Sequence, residues 1–194
     1  MVKLFVLDIE TVALSDGNYF QKGRFNDMIS LAIVELNTGQ EYYWSLKPPK
    51  EYHNTLNWYQ GHGMSWESQK DQPTLPDVWQ EIFSTLNNNI VIAHNAFGFD
   101  MEAFYQSAKE YELKLPNITW LDTKYQIAKA EPNTNTSLKA QCTKYGFYDG
   151  DNHHNALADA RMLAKLVKEL WRQPKYQWNP EPELSEFWKS KTFV

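Results

Sequence analysis

Asp8 and Glu10 close an apolar run, Val2 to Leu7, interrupted only by Lys3. A short run rich in β-formers reads as a strand buried on both faces near the centre of a sheet. Side chains alternate along a strand, so Val2, Leu4, Val6, Asp8 and Glu10 share one face if the extended conformation persists to its end. Two carboxylates then emerge side by side, a pairing suited to a cation. A strand that runs out into solvent through an acidic turn explains the same two residues, and for them alone it is the simpler reading.

Two further acids lie where apolar residues are expected. Asp100 begins a helical segment, 100–113, and shares its buried stripe with Phe104, Ala108 and Tyr111. Helix capping and the macrodipole account for an aspartate there on their own. Asp159 shares a helical face with Leu163, Leu166 and Leu170, while Arg161 points elsewhere. An ionised carboxylate on an apolar stripe carries a large desolvation cost unless it is paired or binds a metal, and that stripe offers no basic partner.

Three separate elements therefore bring acid to surfaces built for the core. Mg²⁺ and Mn²⁺ favour such oxygen donors. Two of these ions about 3.5–4 Å apart stabilise the attacking and leaving oxygens of an in-line phosphoryl displacement. The expected chemistry is phosphodiester hydrolysis. His154, five residues before Asp159 and at the entry of the same helix, is the candidate general base, because imidazole titrates near pH 6.5. The loop containing Gly150 could let it swing onto a water. A lone surface histidine is commonly polar filler, and spacing assigns neighbouring His153 to that class.

The elements that must position these residues can be read in outline. Met28 to Leu36 and Gln40 to Leu46 flank Asn37-Thr38-Gly39 and predict a hairpin. Lys47-Pro48-Pro49 ends it, and the stretch to Gln72 reads as irregular. Helices are expected at 73–86, 100–113, 137–145 (stopped by Gly146) and 155–171, with strands at 90–93 and 118–121. The later half alternates strand and helix. Beyond Arg172, Pro174, Pro180 and Pro182 mix with Tyr176, Trp178, Phe187 and Trp188, which gives an extended tail.

The chain has 194 residues, 42% hydrophobic, enough for one compact domain with a substantial core. No run of about 18 apolar residues is present, and the N-terminus opens directly into VKLFVLD, so a soluble, cytoplasmic protein is expected. The single cysteine, Cys142, can form no intrachain disulfide and is expected to be a buried helix residue. The net charge of −5 argues against binding a long duplex by counterion release. With the four site carboxylates set aside as cation ligands, the remainder is nearly neutral, which suits a short strand end held through metals and stacking.

DIET at 8–11, AHNAFGFD at 93–100 and HNALADA at 154–160 resemble, in order, the three motifs of the DnaQ-like (DEDDh) 3′→5′ exonucleases, over roughly residues 2–171. The resemblance implies an α/β, RNase H-like fold, a mixed five-stranded sheet flanked by helices. It implies an exonuclease domain at 1–171 and a Pro/aromatic C-terminal tail at 172–194. By motif position, Asp8, Glu10, Asp100 and Asp159 become ligands of two Mg²⁺ or Mn²⁺ ions, Glu10 also orients the nucleophilic water, and His154 is the base.

The resemblance further implies that Thr11 contacts the terminal nucleotide. Gly61-His62-Gly63-Met64 is similar to the His-Gly-Ile element that helps hold the terminal base in many members, which makes His62 and Met64 candidate contacts; core packing is the alternative for Met64. Asn95 and Phe99 support the second motif and are further candidate contacts. Three residues separate Asn95 from Phe99, where the otherwise similar exonuclease domain of bacterial polymerase III epsilon subunits usually carries two, so the match does not single out proofreading subunits. The implied activity is release of nucleoside 5′-monophosphates from single-stranded 3′ ends, DNA favoured over RNA. A polymerase partner docked through residues 176–193, or a homodimer, are the alternatives for assembly. Packing of the tail on its own domain is the favoured reading of its aromatics.

Overall fold

The computed structural model describes residues 2–12, 27–51, 63–148, 150, 155–176 and 178. Its centre is a five-stranded mixed sheet in the order β3-β2-β1-β4-β5. The strands are β1 (Leu4–Val12), β2 (Asp27–Glu35), β3 (Glu41–Ser45), β4 (Asn89–Ala93) and β5 (Ile118–Asp122). β1 pairs antiparallel with β2 and parallel with β4; β3 and β5 complete the two sides.

β1 is longer than the Val2–Leu7 run suggests, because β2 pairs with it from Phe5 to Val12 and holds both acids in extended conformation. On its other side β4 pairs with it only from Leu4 to Val6. β4 ends at Ala93, so the acid-bearing half of β1 has no strand on that side. The β2–β3 hairpin turns as expected through Asn37-Thr38-Gly39, with Gly39 at φ +75°, a conformation glycine adopts without steric cost.

The helices are α1 (Trp66–Gln69), α2 (Leu75–Leu86), α3 (Asp100–Glu110), α4 (Thr123–Ala130), α5 (Leu138–Lys144) and α6 (Ala156–Trp171). Two were not anticipated. α1 interrupts the stretch read as irregular; it is a single turn, too short for a 3.6-residue pattern, and is held by a reciprocal Ser65–Ser68 capping box. α4 follows β5 directly and contributes one fully buried apolar side chain, Ile127, so its sequence carries almost no periodic signal.

The alternation of β1 is realised on two apolar layers. Phe5, Leu7 and Ile9 pack with Trp79 and Ile82 of α2 and with Met101, Phe104 and Ala108 of α3. Val6 packs with Leu163, Leu166, Val167 and Leu170 of α6 and with Cys142 of α5. β2 is buried along its whole length. Tyr176, just beyond α6, also packs into the second layer, and its hydroxyl donates to Glu131, which accepts from Lys144 and Lys175 as well. Among the described residues no helix is long and apolar enough to cross a membrane.

Candidate metal centre

Asp8 and Glu10 follow Val6 by strand alternation on the β1 face that α6 covers. Asp159 reaches them from the first turn of α6, which Asn155 starts by accepting the Ala158 N–H at 3.2 Å. One carboxylate oxygen from each of Asp8, Glu10 and Asp159 lies within 4.8 Å of the others. Asp159 is 4% exposed among Leu163, Leu166 and Leu170, all fully buried, as its stripe required. Arg161 does point away: it forms a two-pronged pair with Glu41 on β3.

Asp100 is not within that triplet but borders it. It is buried at the first position of α3, and its carboxylate accepts from its own N–H and from the N–H of Ile9. That Ile9 donor lies on the stretch of β1 that β4 does not reach, so the aspartate takes the place of a missing strand neighbour.

The electrostatics explain what this arrangement asks for. Burial, then the charges of Asp100, Glu10 and Asp159, hold the Asp8 carboxyl well above the ordinary carboxylate range. Burial and then Asp159 push Glu10 up to about 8. Asp100 is raised by burial and then by Asp122, against the two backbone donors. Carboxylates that resist ionising together are relieved by a cation, and a cluster of hard oxygen donors is what Mg²⁺ or Mn²⁺ takes. The donor set therefore fits the expected ions.

The remaining candidates fall in different places. Thr11 is buried on β1, paired with Met28 beyond a bulge at Glu10/Thr11. Met64 is half-buried and packs against Val12, Ile29 and Trp66. Asn95 sits at φ +75° in the loop after β4, and its side-chain oxygen accepts from Lys124 at 3.4 Å. Phe99 stands half-buried directly before Asp100, whereas Phe97 packs against the core. His154 and His62, with His153, lie outside the described residues.

Two residues without a role in the sequence reading organise the loop 94–99. Asp122, 4% exposed at the end of β5, accepts from the N–H groups of Asn95 (3.1 Å), Phe97 (3.2 Å), Lys124 (2.9 Å) and Tyr125 (3.2 Å). It caps α4 and ties down the turn leading to Asp100. An aspartate closing an apolar run just before a helix is an N-cap signal that could have revealed it. His94 bonds Thr123 Oγ1 through Nδ1 (2.8 Å) and the Thr136 carbonyl through Nε2 (2.7 Å). Burial lowers its pKa to about 4, which keeps the ring neutral.

A family model for exonucleases of the RNase T type matches residues 5–167. The DNA polymerase III epsilon subunit of Buchnera aphidicola (subsp. Schizaphis graminum) is 25% identical over 171 residues, 84% of this chain and 72% of that protein. A PolC-type DNA polymerase III of Thermotoga petrophila is 27% identical over 168 residues, 83% of this chain and only 11% of that protein.

Among solved structures, exonuclease X in complex with 5′ overhanging duplex DNA superposes with a TM-score of 0.66 at 18% identity, covering 95% of this chain and 99% of that one. The nuclease domain of 3′hExo, a DEDDh family member bound to rAMP, superposes with a TM-score of 0.71 at 16% identity, covering 91% and 96%. These likenesses establish the RNase H-like fold expected from the sequence.

Proposed function

The chain belongs to the exonuclease family, and from that premise we propose that it is a metal-dependent 3′→5′ exonuclease acting on single-stranded DNA ends. The observation that carries this reading is the convergence of Asp8, Glu10 and Asp159 from two elements, bordered by Asp100, in surroundings that disfavour ionisation of Asp8 and Glu10 without a cation. Asp8, Glu10, Asp100 and Asp159 would hold two Mg²⁺ or Mn²⁺ ions. When bound, such ions supply charge stabilisation to the attacking and leaving oxygens of an in-line displacement.

The protein's own groups do the rest. Glu10 orients a water, and His154 accepts the proton that this water loses. The water oxygen bonds to phosphorus as the bond to the 3′ oxygen of the preceding nucleotide breaks, which releases a nucleoside 5′-monophosphate and leaves a new 3′ end. Thr11, His62, Met64, Asn95 and Phe99 contact the terminal nucleotide in this reading, with Asn95 held by Asp122 and Lys124.

Digestion of 3′- and 5′-labelled single-stranded DNA and RNA with Mg²⁺ or Mn²⁺ tests the proposal. Shortening from the 3′ end with release of mononucleotides, faster on DNA, is expected; RNA degraded faster would shift the substrate class. Undiminished activity in both Asp8→Ala and His154→Ala would sink the mechanism. The likeness to an epsilon subunit over most of that protein's length favours one second reading, a subunit docked on a polymerase. Copurification with a polymerase that is lost on truncation after Arg172 would favour it.

A further inference from the structure

β2 places Ser30 directly across from Glu10, the last pair in register before the bulge. Antiparallel partners project to the same face with their Cβ atoms about 4.5–5.5 Å apart. Ser30 is fully buried, and its hydroxyl has no hydrogen-bond partner among the described residues. Buried hydroxyls are normally paired, and an unpaired one carries a desolvation cost.

The surroundings narrow down what it serves. Beside Asp8 the same strand offers Ala32, so only Glu10 has a cross-strand hydroxyl on β2. On its far side Ser30 pairs with Ser45 of β3, whose hydroxyl donates to Oε1 of the buried Gln69 at 2.8 Å. A polar row thus crosses the sheet from Glu10 through Ser30 and Ser45 to Gln69, and its open link lies at Ser30. An ionised carboxylate is a stronger acceptor for that link than a neutral hydroxyl.

We propose that Ser30 is a positioning residue whose hydroxyl donates to the Glu10 carboxylate in the cation-loaded state and fixes that side chain in its ligand orientation. The inference rests on the cation reading of the site. Groups of this kind around metal ligands typically change affinity 10–100-fold when removed.

The test is calorimetric titration of Mn²⁺ into the EDTA-stripped full chain, with thermal unfolding of the same metal-free samples. Ser30→Ala is expected to weaken Mn²⁺ binding about 10-fold or more while leaving the metal-free melting temperature unchanged or raised. Ser30→Cys keeps the side chain's connectivity, with a larger terminal atom, but offers only the weak S–H donor, and is expected to fall the same way. Ser45→Ala, in the same row but already paired with Gln69, is expected to bind Mn²⁺ like wild type. Equal affinity in wild type and Ser30→Ala overturns the positioning role alone. Absence of Mn²⁺ binding in wild type overturns the cation reading, and this inference with it.

Discussion

Replacing Glu10 by glutamine should stabilise the metal-free protein, and more so as the pH rises. Folding lifts the Glu10 pKa from an ordinary 4.5 to about 8, through burial first and the Asp159 charge second. A raised acid keeps its proton in the folded state where the unfolded chain has lost it, so the stability associated with Glu10 is intact below pH 4.5 and is lost as pH climbs towards 8. At 1.36 kcal/mol per pH unit, the loss is about 1 kcal/mol at pH 5 and roughly 4 kcal/mol at pH 8. Glutamine carries no such loss. Urea unfolding in EDTA should therefore show the advantage of Glu10→Gln over wild type growing by about 3 kcal/mol between pH 5 and pH 8. The difference between the two proteins is the quantity to read, because His94 shifts the stability of both in the opposite direction. Mn²⁺ should narrow the gap: a ligand at 100 times its Kd adds about 2.7 kcal/mol to wild type, less than the variant's advantage at pH 8, and the variant loses most of that gain. An advantage that does not change with pH would refute the account of Glu10 as a carboxylate strained by burial and by its neighbour.

Other expectations follow from single contacts. Asp122→Ala strips an acceptor from four backbone N–H groups and should cost roughly 2 kcal/mol or more in urea unfolding. Gly98→Ala would put a methyl carbon 2.7 Å from Asn95 Oδ1 and push that carboxamide off Lys124. It should raise KM for single-stranded substrate more than it lowers kcat, as initial rates would show. His94, lowered to about 4 by burial, should show no imidazole titration between pH 5.5 and 8 by NMR, and the stability it contributes should fade as pH falls from 6.5 towards 4; a midpoint near 6.5 would contradict its buried setting.

Much of the architecture is legible locally because each element is long enough to repeat its own period. The two-residue alternation of β1 put Asp8 and Glu10 on one face, and the 3.6-residue stripe of α6 placed Asp159 among leucines; both placements hold in the fold. α1 and α4 were not legible, since one turn of helix, or a helix burying a single large apolar side chain, has no period to detect. Asp122 was passed over for the same reason, its role being to cap a helix that had not been foreseen.

Which side chains are acidic, which face of its element each occupies, and the order of three motifs that matches one family are all written in the chain. That those faces meet is a property of the assembled fold. The meeting depends on β1 lying between an antiparallel and a parallel neighbour, and on β4 stopping short of the acids so that Asp100 takes the Ile9 N–H in place of a strand. The fold also decided what stands beside each acid, an alanine next to Asp8 and a buried serine next to Glu10. Periodicity reports one face of one element, whereas the register between strands is set by turns and packing elsewhere in the chain, so a partner twenty residues away, such as Ser30, carries no mark of its role until the sheet is assembled.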